Sequence, residues 1–118
     1  MKKATSQISL RLSEMDDHFA ICRLNSTSEI PIWARQGSFY SVTRTNDELS
    51  VVCRQEDVPP GITCEREWRC LKVEGPLSFE LTGIMASVAR PLAEAGISMF
   101  TIGTYETDYI LITLVPGF

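Results

Sequence analysis

The sequence lacks a concentrated basic surface, a long apolar run and a secretion signal. Its formal net charge is −4 and its basic residues are scattered among acids, so we expect no nucleic acid and no membrane surface among its partners. No apolar run approaches the roughly 20 residues that a membrane-spanning helix needs. The first residues include two lysines, but polar residues interrupt the apolar core that a signal peptide requires. These absences predict a cytoplasmic protein.

The sequence also has little of what catalysis and metal binding need. His18 is the single histidine, and there is no Gly-x-Ser-x-Gly elbow and no phosphate-binding glycine loop. The acidic and basic side chains at residues 16–18 lie in a polar stretch that predicts a solvated turn. We therefore expect a protein that is not an enzyme and that carries no cofactor and no metal.

The few cysteines are not spaced as in a metal site. None of the four stands in a Cys-x-x-Cys pair, which argues against zinc. Cys22, Cys53 and Cys70 each lie in an apolar, strand-like run, where a reduced thiol packs as a small hydrophobic group. Buried, reduced cysteines are the prediction, and a Cys64–Cys70 disulfide in an oxidising compartment is the alternative.

The apolar content is sufficient for a packed core. Hydrophobic residues make up 44% of the 118, which is typical of a folded chain. A half-chain of roughly 60 residues would be only marginally stable by itself. The length therefore fits one compact domain, or two small halves that pack against each other or against a second copy of the chain.

Hydrophobic periodicity divides the first half into strands and one short helical turn. Alternation at residues 8–12 predicts a strand, which a turn at 15–18 separates from a second strand at 19–24. Residues 30–36 favour a short helical turn, because a proline near their start limits a longer helix. Residues 38–54 predict a hairpin that turns at an Asn-Asp dipeptide.

The second half follows the same order with a full helix. Residues 68–74 predict a strand, and residues 79–95 predict a helix that ends at Gly96. Strands at 97–103 and 109–115 complete the sheet. Four apolar residues at helical spacing should be buried against that sheet: Leu81, Ile84, Val88 and Leu92.

The two halves also echo each other in sequence. The run at 31–37 parallels the run at 90–96, and a threonine follows each at the same offset, Thr45 in one half and Thr104 in the other. Such self-similarity predicts a duplicated β-α-β-β unit whose first helix is reduced to a stub. The predicted fold is α+β with a largely antiparallel sheet. The predicted division is a first unit at 1–58, a linker at 59–67 and a second unit at 68–118.

Two junctions of the second half have the chemistry to hold a small zwitterion. Residues 78–84 open the helix, where unpaired N–H groups and the positive end of the dipole favour a carboxylate. Gly83 would let the backbone approach a ligand closely. The connection at 104–108 carries Asp108, which could receive an ammonium. This pairing favours a binding protein over an enzyme.

Most of the chain resembles the small tandem ACT-domain proteins. The second half is similar to the CASTOR-type ACT domain, which is named for cytosolic arginine sensors. The first half is similar to the degenerate ACT unit that precedes it in bacterial relatives. The runs that carry the resemblance are FYSVTRT at 39–45, GPL at 75–77, TGI at 82–84, PLA at 91–93 and TYETDYIL at 104–111.

The resemblance implies a ferredoxin-like fold and a regulatory sensor that binds a free amino acid between ACT units. Residues 1–58 would be the degenerate unit and 68–118 an ACT domain that is short at its C-terminus. Carried over by position, the ligand-binding residues would be Ser78, Thr82, Gly83, Ile84, Thr104, Tyr105 and Asp108.

The chain departs from this family at two places. Leu81 stands where the arginine sensors have a glutamate, which favours a ligand with an apolar or small side chain. The sequence ends at Phe118, where relatives usually continue with a helix and a strand. The resemblance therefore implies an unpaired sheet edge and a homodimer.

Each candidate residue has a plainer alternative. Asp108 could simply favour the hairpin turn, and Tyr105 could be a core aromatic with its hydroxyl at the rim. The rival function is a protein–protein interaction module that keeps the ACT fold but has lost its ligand. A small enzyme that acts through Asp108 or His18 is the weaker alternative.

Overall fold

The computed structural model describes residues 11–75 and 81–113, and of Leu81, Thr82 and Ile84 it describes the backbone alone. One 3₁₀ turn, Ile32–Arg35, lies between β1 and β2, and a second, Gln55–Asp57, lies between β3 and β4. The strands and the helix are β1 Arg11–Leu24, β2 Ser41–Arg44, β3 Leu49–Arg54, β4 Cys64–Gly75, α1 Leu81–Glu94, β5 Ser98–Gly103 and β6 Asp108–Thr113.

The six strands form one antiparallel sheet in the order β2-β3-β1-β4-β6-β5. Within each half the first strand pairs with the third, and the third pairs with the second. The 3₁₀ turn Ile32–Arg35 occupies the position in the first half that α1 occupies in the second. The prediction of two β-α-β-β units with a vestigial first helix is thereby confirmed, and the fold is the ferredoxin-like α+β fold.

The two halves meet where β1 pairs antiparallel with β4. Each first strand therefore has its own third strand on one side and the first strand of the other half on the other side. β4 is therefore not at an edge of the sheet, because β1 lies beside it. Among the described strands, β2 and β5 are the ones at the edges of the sheet. A homodimer stays a prediction, and these edges are where a second copy could pair.

The predicted turn at 15–18 is also wrong, because β1 runs through it without interruption. The polar residues lie where the pairing of β1 with β4 shifts register, between Glu14 and His18. Arg69 holds this irregular segment, since its guanidinium donates to the Glu14 carboxylate at 2.8 Å and to the Met15 carbonyl at 3.0 Å. A local bulge lets a strand accommodate polar residues that break the two-residue alternation.

The remaining element predictions agree closely with the structure in the residues it describes. The 3₁₀ turn Ile32–Arg35 lies within 30–36, and β2, β3 and β5 lie within the predicted segments, while β6 begins at Asp108, one residue before its predicted start. β4 begins at Cys64, inside the range 59–67 that was predicted to be a linker. Its start is irregular, because Glu67 takes a left-handed conformation with φ of 69° near a register shift against β1.

Among the described residues, two clusters of buried side chains lie on opposite faces of the sheet. Phe19 and Ala20 are consecutive on β1 and point to opposite faces, and each belongs to a different cluster. Trp68 is fully buried beside Phe19 in the cluster that both halves share. The cluster that contains Ala20, called the first cluster below, is covered by Ala34 of the 3₁₀ turn Ile32–Arg35. The alternative of a Cys64–Cys70 disulfide is wrong, because these two thiols pack in different clusters.

The helix ends as its sequence predicts. Gly96 has a left-handed φ of 75°, the Ile97 N–H donates to the Leu92 carbonyl, and the Gly96 N–H donates to the Ala93 carbonyl. These paired bonds are those of a Schellman motif. Val88 and Leu92 are half-buried on the predicted apolar face. The other two residues predicted on this apolar face are Leu81 and Ile84, and the structure describes only their backbone.

Two glycines with left-handed backbones provide a matched stability test. Gly37 (φ 86°) and Gly61 (φ 88°) would each cost about 1 kcal/mol as alanine, because an L side chain strains that conformation. A Cβ at Gly37 would also lie 2.9 Å from Nε of Arg54, which donates to Asp57 at 2.8 Å, whereas a Cβ at Gly61 meets no atom within 4 Å. Gly37→Ala should therefore lower the free energy of unfolding in urea more than Gly61→Ala. Equal losses of unfolding free energy in the two variants would show that the Arg54 side chain can move away from the added methyl group without an energetic cost.

Candidate functional site

The connection between β5 and β6 is a tight turn closed by Thr104. The Thr104 N–H donates to the Thr107 carbonyl at 2.8 Å, and the Thr104 hydroxyl donates to the same oxygen at 3.0 Å. The Thr107 hydroxyl donates to the Val73 carbonyl at 2.6 Å. This last bond fastens the turn to the end of β4, so the two elements form a fixed corner.

The first half repeats this turn at the position that its sequence predicts. The Thr45 N–H donates to the Glu48 carbonyl at 2.9 Å, and the Thr45 hydroxyl accepts from the N–H groups of Asp47 and Glu48 at 3.1 Å each. The prediction of equivalent turns after Thr45 and Thr104 is thus confirmed. The two halves can therefore be compared position by position.

An open cleft of about 380 Å³ lies between the end of β4 and the second turn. Its charged residues are Lys72, Glu74 and Glu106, so groups of both signs line one concavity. Within the described residues, Lys72 makes no ion pair and no hydrogen bond through its ammonium, whereas Glu74 accepts from the Ser13 hydroxyl at 2.7 Å. The described residues that line it are Lys72, Val73, Glu74, Thr104, Glu106, Thr107 and Tyr109.

The equivalent region of the first half is occupied by the chain itself. Arg23 pairs with the second residue of β3, as Lys72 pairs with the second residue of β6. The Arg23 guanidinium crosses to the turn, where it donates to the Asp47 carbonyl at 3.2 Å and lies 3.9 Å from the Glu48 carboxylate. The first turn therefore already has a cationic partner.

A second arginine closes the loop that follows β1. Arg44 precedes the first turn and donates to the backbone carbonyls of Ser26 and Ser28. By register its counterpart in the second half is Gly103, because each is paired with the first residue of the following strand. Two arginines of the first half are thus replaced in the second half by a shorter lysine and by a residue with no side chain.

Asp108 stands opposite Gly103 at the start of β6. The absence of a side chain at Gly103 leaves room for this carboxylate, since a Cβ there would lie 3.1 Å from Oδ1 of Asp108. Asp108 is half-buried and its side chain has no hydrogen-bonding or ionic partner among the residues that the structure describes. Its counterpart in the first half is the apolar Leu49. The carboxylate is therefore peculiar to the second half.

Of the predicted site residues that the structure describes, Gly83, Tyr105 and Asp108 do not line the cleft. Gly83 lies near the start of α1 in open space, where an added Cβ would meet no atom within 4 Å. Thr82 and Ile84 flank it and are described by their backbone alone, and Ser78 lies outside the described residues. The Tyr105 side chain is fully exposed, at 101% of its reference area. Thr104 is the predicted residue that lines the cleft.

Sequence reasoning missed the three charged residues that line the cleft: Lys72, Glu74 and Glu106. The available signal was the charged, alternating end of β4, where a lysine and a glutamate flank a valine. The sequence pattern of this segment predicts a strand but no binding role. Its position beside the turn depends on the pairing of β4 with β6, which the local pattern does not contain.

The acid–base group at 16–18 occupies a shallower depression of about 260 Å³. Nδ1 of His18 lies 3.0 Å from Oε1 of Glu67, and the other oxygen of that carboxylate accepts from Gln55 at 3.0 Å. The Gln55 bond, followed by His18, lowers the pKa of Glu67. Among the described residues no cluster of three or more histidine, cysteine or acidic side chains is arranged to hold a metal ion. In the same residues, no helix is long and apolar enough to cross a membrane.

Two paired β-α-β-β units in one sheet define a tandem ferredoxin-like protein. The ACT-domain family model matches residues 63–114, and a model of an N-terminal domain matches residues 17–61. The cytosolic arginine sensor for mTORC1 subunit 1 from Bos taurus is 32% identical over 85 residues, which cover 63% of this chain and 26% of that protein. The chain thus spans about a quarter of that relative.

Solved structures agree with this comparison. An Agobacterium tumefaciens protein is 38% identical, with a TM-score of 0.82 over 88% of this chain and 78% of that chain. A Vibrio cholerae protein of unknown function, titled a possible transport protein, is 21% identical with a TM-score of 0.73 over 90% of this chain and 80% of its own, a likeness of fold alone. Residues 63–114 are thus an ACT domain, and the sequence relatives make it one of the CASTOR type.

Proposed function

We propose that this chain is a non-catalytic regulatory protein that binds a free amino acid at the corner between β4, the start of α1 and the second turn. The observation that carries the proposal is the difference between the halves. The first turn is contacted by Arg23, whereas its counterpart opens onto a cleft in which Lys72 has no ionic partner among the described residues. In the first half an arginine of the chain contacts the turn, whereas the equivalent position in the second half is open. This difference favours an external ligand at the second turn.

The charges of the corner suit both ends of a zwitterion. Lys72 and the N–H groups at the start of α1, at Thr82 and Gly83, would attract the carboxylate. Asp108 would pair with the ammonium, and the Glu106 backbone carbonyl would accept from it as the Asp47 carbonyl accepts from Arg23. Partial burial of Lys72 and Asp108 strengthens the bonds that these two side chains would make, because water competes less for them.

The size of the cleft and the residue at position 81 bear on the choice of amino acid. A volume of about 380 Å³ lies within the usual range for small-molecule sites, roughly 300–1,000 Å³. Leu81 replaces the glutamate of the arginine sensors, so a guanidinium would lack that partner. We propose an apolar or small side chain on the ligand, in contrast to the arginine that the Bos taurus relative is named for.

The second candidate is an interaction module that has lost its ligand. Tyr105 favours it, because a fully exposed aromatic at the tip of a fixed turn is suited to insertion into a partner protein. A ligand site does not require that exposure. The two candidates therefore differ in whether the native state is stabilised by small molecules alone.

A thermal-shift screen against the free amino acids tests the proposal. A ligand that binds only the native state at a hundredfold excess over its Kd adds about 2.7 kcal/mol, which should raise the Tm by roughly 10 °C. The control is the same amino acid with its amine acetylated, which removes the charge that Asp108 would bind and should abolish the shift. If no free amino acid raises the Tm, the interaction module becomes the better account.

A further inference from the structure

Three of the four cysteines lie together on one face of the sheet. Cys22 of β1 and Cys53 of β3 are fully buried in the first cluster, and Cys64 of β4 packs against them while half-exposed. Cys22 thus has both of the others as neighbours in this cluster. Neither the fold nor the proposed ligand site uses this group of thiols.

The register of β1 and β4 places Cys22 directly opposite Cys64. At the next position the Arg23 N–H donates to the Thr63 carbonyl at 2.9 Å, so that pair is hydrogen-bonded. Because bonded and non-bonded pairs alternate along an antiparallel ladder, Cys22 and Cys64 form a non-hydrogen-bonded pair. In such pairs the Cα atoms are about 4.5 Å apart, which lies within the roughly 4.4–6.8 Å that a disulfide spans.

The other two cysteines are less well placed for a bond to Cys64. Cys53 is opposite Ala20 on the far side of β1, so it reaches Cys22 only diagonally. Cys70 packs on the opposite face, and burial raises the pKa of its thiol to about 12. Cys22 and Cys64 are therefore the two cysteines best placed to form a disulfide.

We propose that Cys22 and Cys64 are an oxidisable pair which a peroxide converts into a disulfide across β1 and β4, the strand pair that joins the two halves. The Cys64 thiolate attacks one peroxide oxygen, the O–O bond breaks, and the released hydroxide takes a proton to become water. Cys64 is then a sulfenic acid. The Cys22 sulfur attacks the Cys64 sulfur, the S–O bond breaks, and a second water leaves with the Cys22 proton. One peroxide is reduced and two thiols are oxidised.

Cys64 is the entry point because its side chain is the exposed member of the pair. Burial and the neighbouring Cys22 raise the pKa of Cys64, while Arg66 on the same strand partly opposes this. The remaining titratable group that faces it is Cys53 from β3. Since the thiolate is the nucleophile, oxidation is slow at neutral pH and should accelerate about tenfold between pH 7 and pH 8.

The experiment treats the whole folded chain with hydrogen peroxide, alkylates the remaining thiols in denaturant and measures the intact mass. The expected product has lost about 2 Da before alkylation and takes up two alkyl groups instead of four. Peptide mapping without reduction should recover the Cys22 peptide joined to the Cys64 peptide. Cys64→Ser should abolish the link, and Cys70→Ser, on the other face, should leave it unchanged.

Several outcomes would overturn the proposal. Alkylation of all four thiols after peroxide treatment would do so, as would a mapped bond between Cys22 and Cys53 that persists in Cys64→Ser. If Cys64→Ser unfolds, Cys53→Ser supplies the test: that variant must still form the Cys22–Cys64 link. A rate that does not change between pH 7 and pH 8 would show that Cys64 is not the attacking thiolate.

Discussion

Trp68→Ala is expected to lower the free energy of unfolding by about 3–5 kcal/mol, the usual cost of removing a large buried aromatic. Trp68 is fully buried on β4, opposite Phe19 of β1, and its ring lies 6.3 Å from that of Phe100. The side chain thus belongs to the cluster that both halves build. Because small domains are stable by only about 5–15 kcal/mol, this variant should lose a large part of its stability.

The measurement is urea unfolding followed by circular dichroism, with Tyr105→Ala as the control. Tyr105 is also an aromatic on the second half but is fully exposed, so its removal should change stability by no more than about 0.5 kcal/mol. Both halves should unfold in one transition in the parent protein, since they share this cluster. Two separate transitions, of which only one responds to Trp68→Ala, would contradict a common core.

Asp108→Asn is expected to weaken amino-acid binding by at least tenfold, measured by calorimetry. The substitution keeps the shape of the side chain but removes the charge that would pair with the ligand ammonium, and a hydrogen bond to a charged group contributes about 1.5–3 kcal/mol. Asp108 has no other partner among the described residues, so the fold should keep its Tm within a few degrees.

Asp47→Asn is the matched control for this variant. Asp47 is a carboxylate in the equivalent turn of the first half, where its backbone carbonyl accepts from Arg23. Its side chain should have no role in binding, and its removal should leave the affinity unchanged. An unchanged affinity in Asp108→Asn would refute the ammonium site, whereas equal losses in both variants would point to a general effect of charge.

The internal repeat gives the two halves different parts in the proposed function. In the first half Arg23 and Arg44 bind backbone carbonyls around the turn and the loop after β1, so this half is closed by its own side chains. In the second half Lys72 and Gly103 occupy the corresponding positions. We infer one ligand for each chain, bound by the second half, with the first half acting as a structural support through β1.

The elements that were predicted correctly are those with a local cause. Both hairpins contain a turn that a threonine closes. The 3₁₀ turn Ile32–Arg35 and the helix α1 are each followed by a glycine with positive φ. The missed elements have distant causes. The strand through residues 15–18 is held by Arg69, which is distant in sequence. The local pattern of polar residues does not contain this contact, so it predicted a turn.

The candidate site was predicted in part for the same reason. The Thr104–Asp108 turn could be found because its residues are adjacent in sequence. Lys72 and Glu106 could not be assigned to one cleft, since a strand pairing brings them together. The contrast with Arg23 was also invisible, because which side chain fills a turn depends on the register of the neighbouring strand.

By itself the sequence determined that this chain forms two β-α-β-β units, because the period of apolar residues and the residues at turns act over short distances. Only the tertiary structure decided that β1 pairs with β4, that Cys22 faces Cys64, and that the second turn is open where the first is filled. These features depend on strand order and register. A shift of one residue would point every side chain of a strand to the other face, and long-range packing selects the register that buries the core.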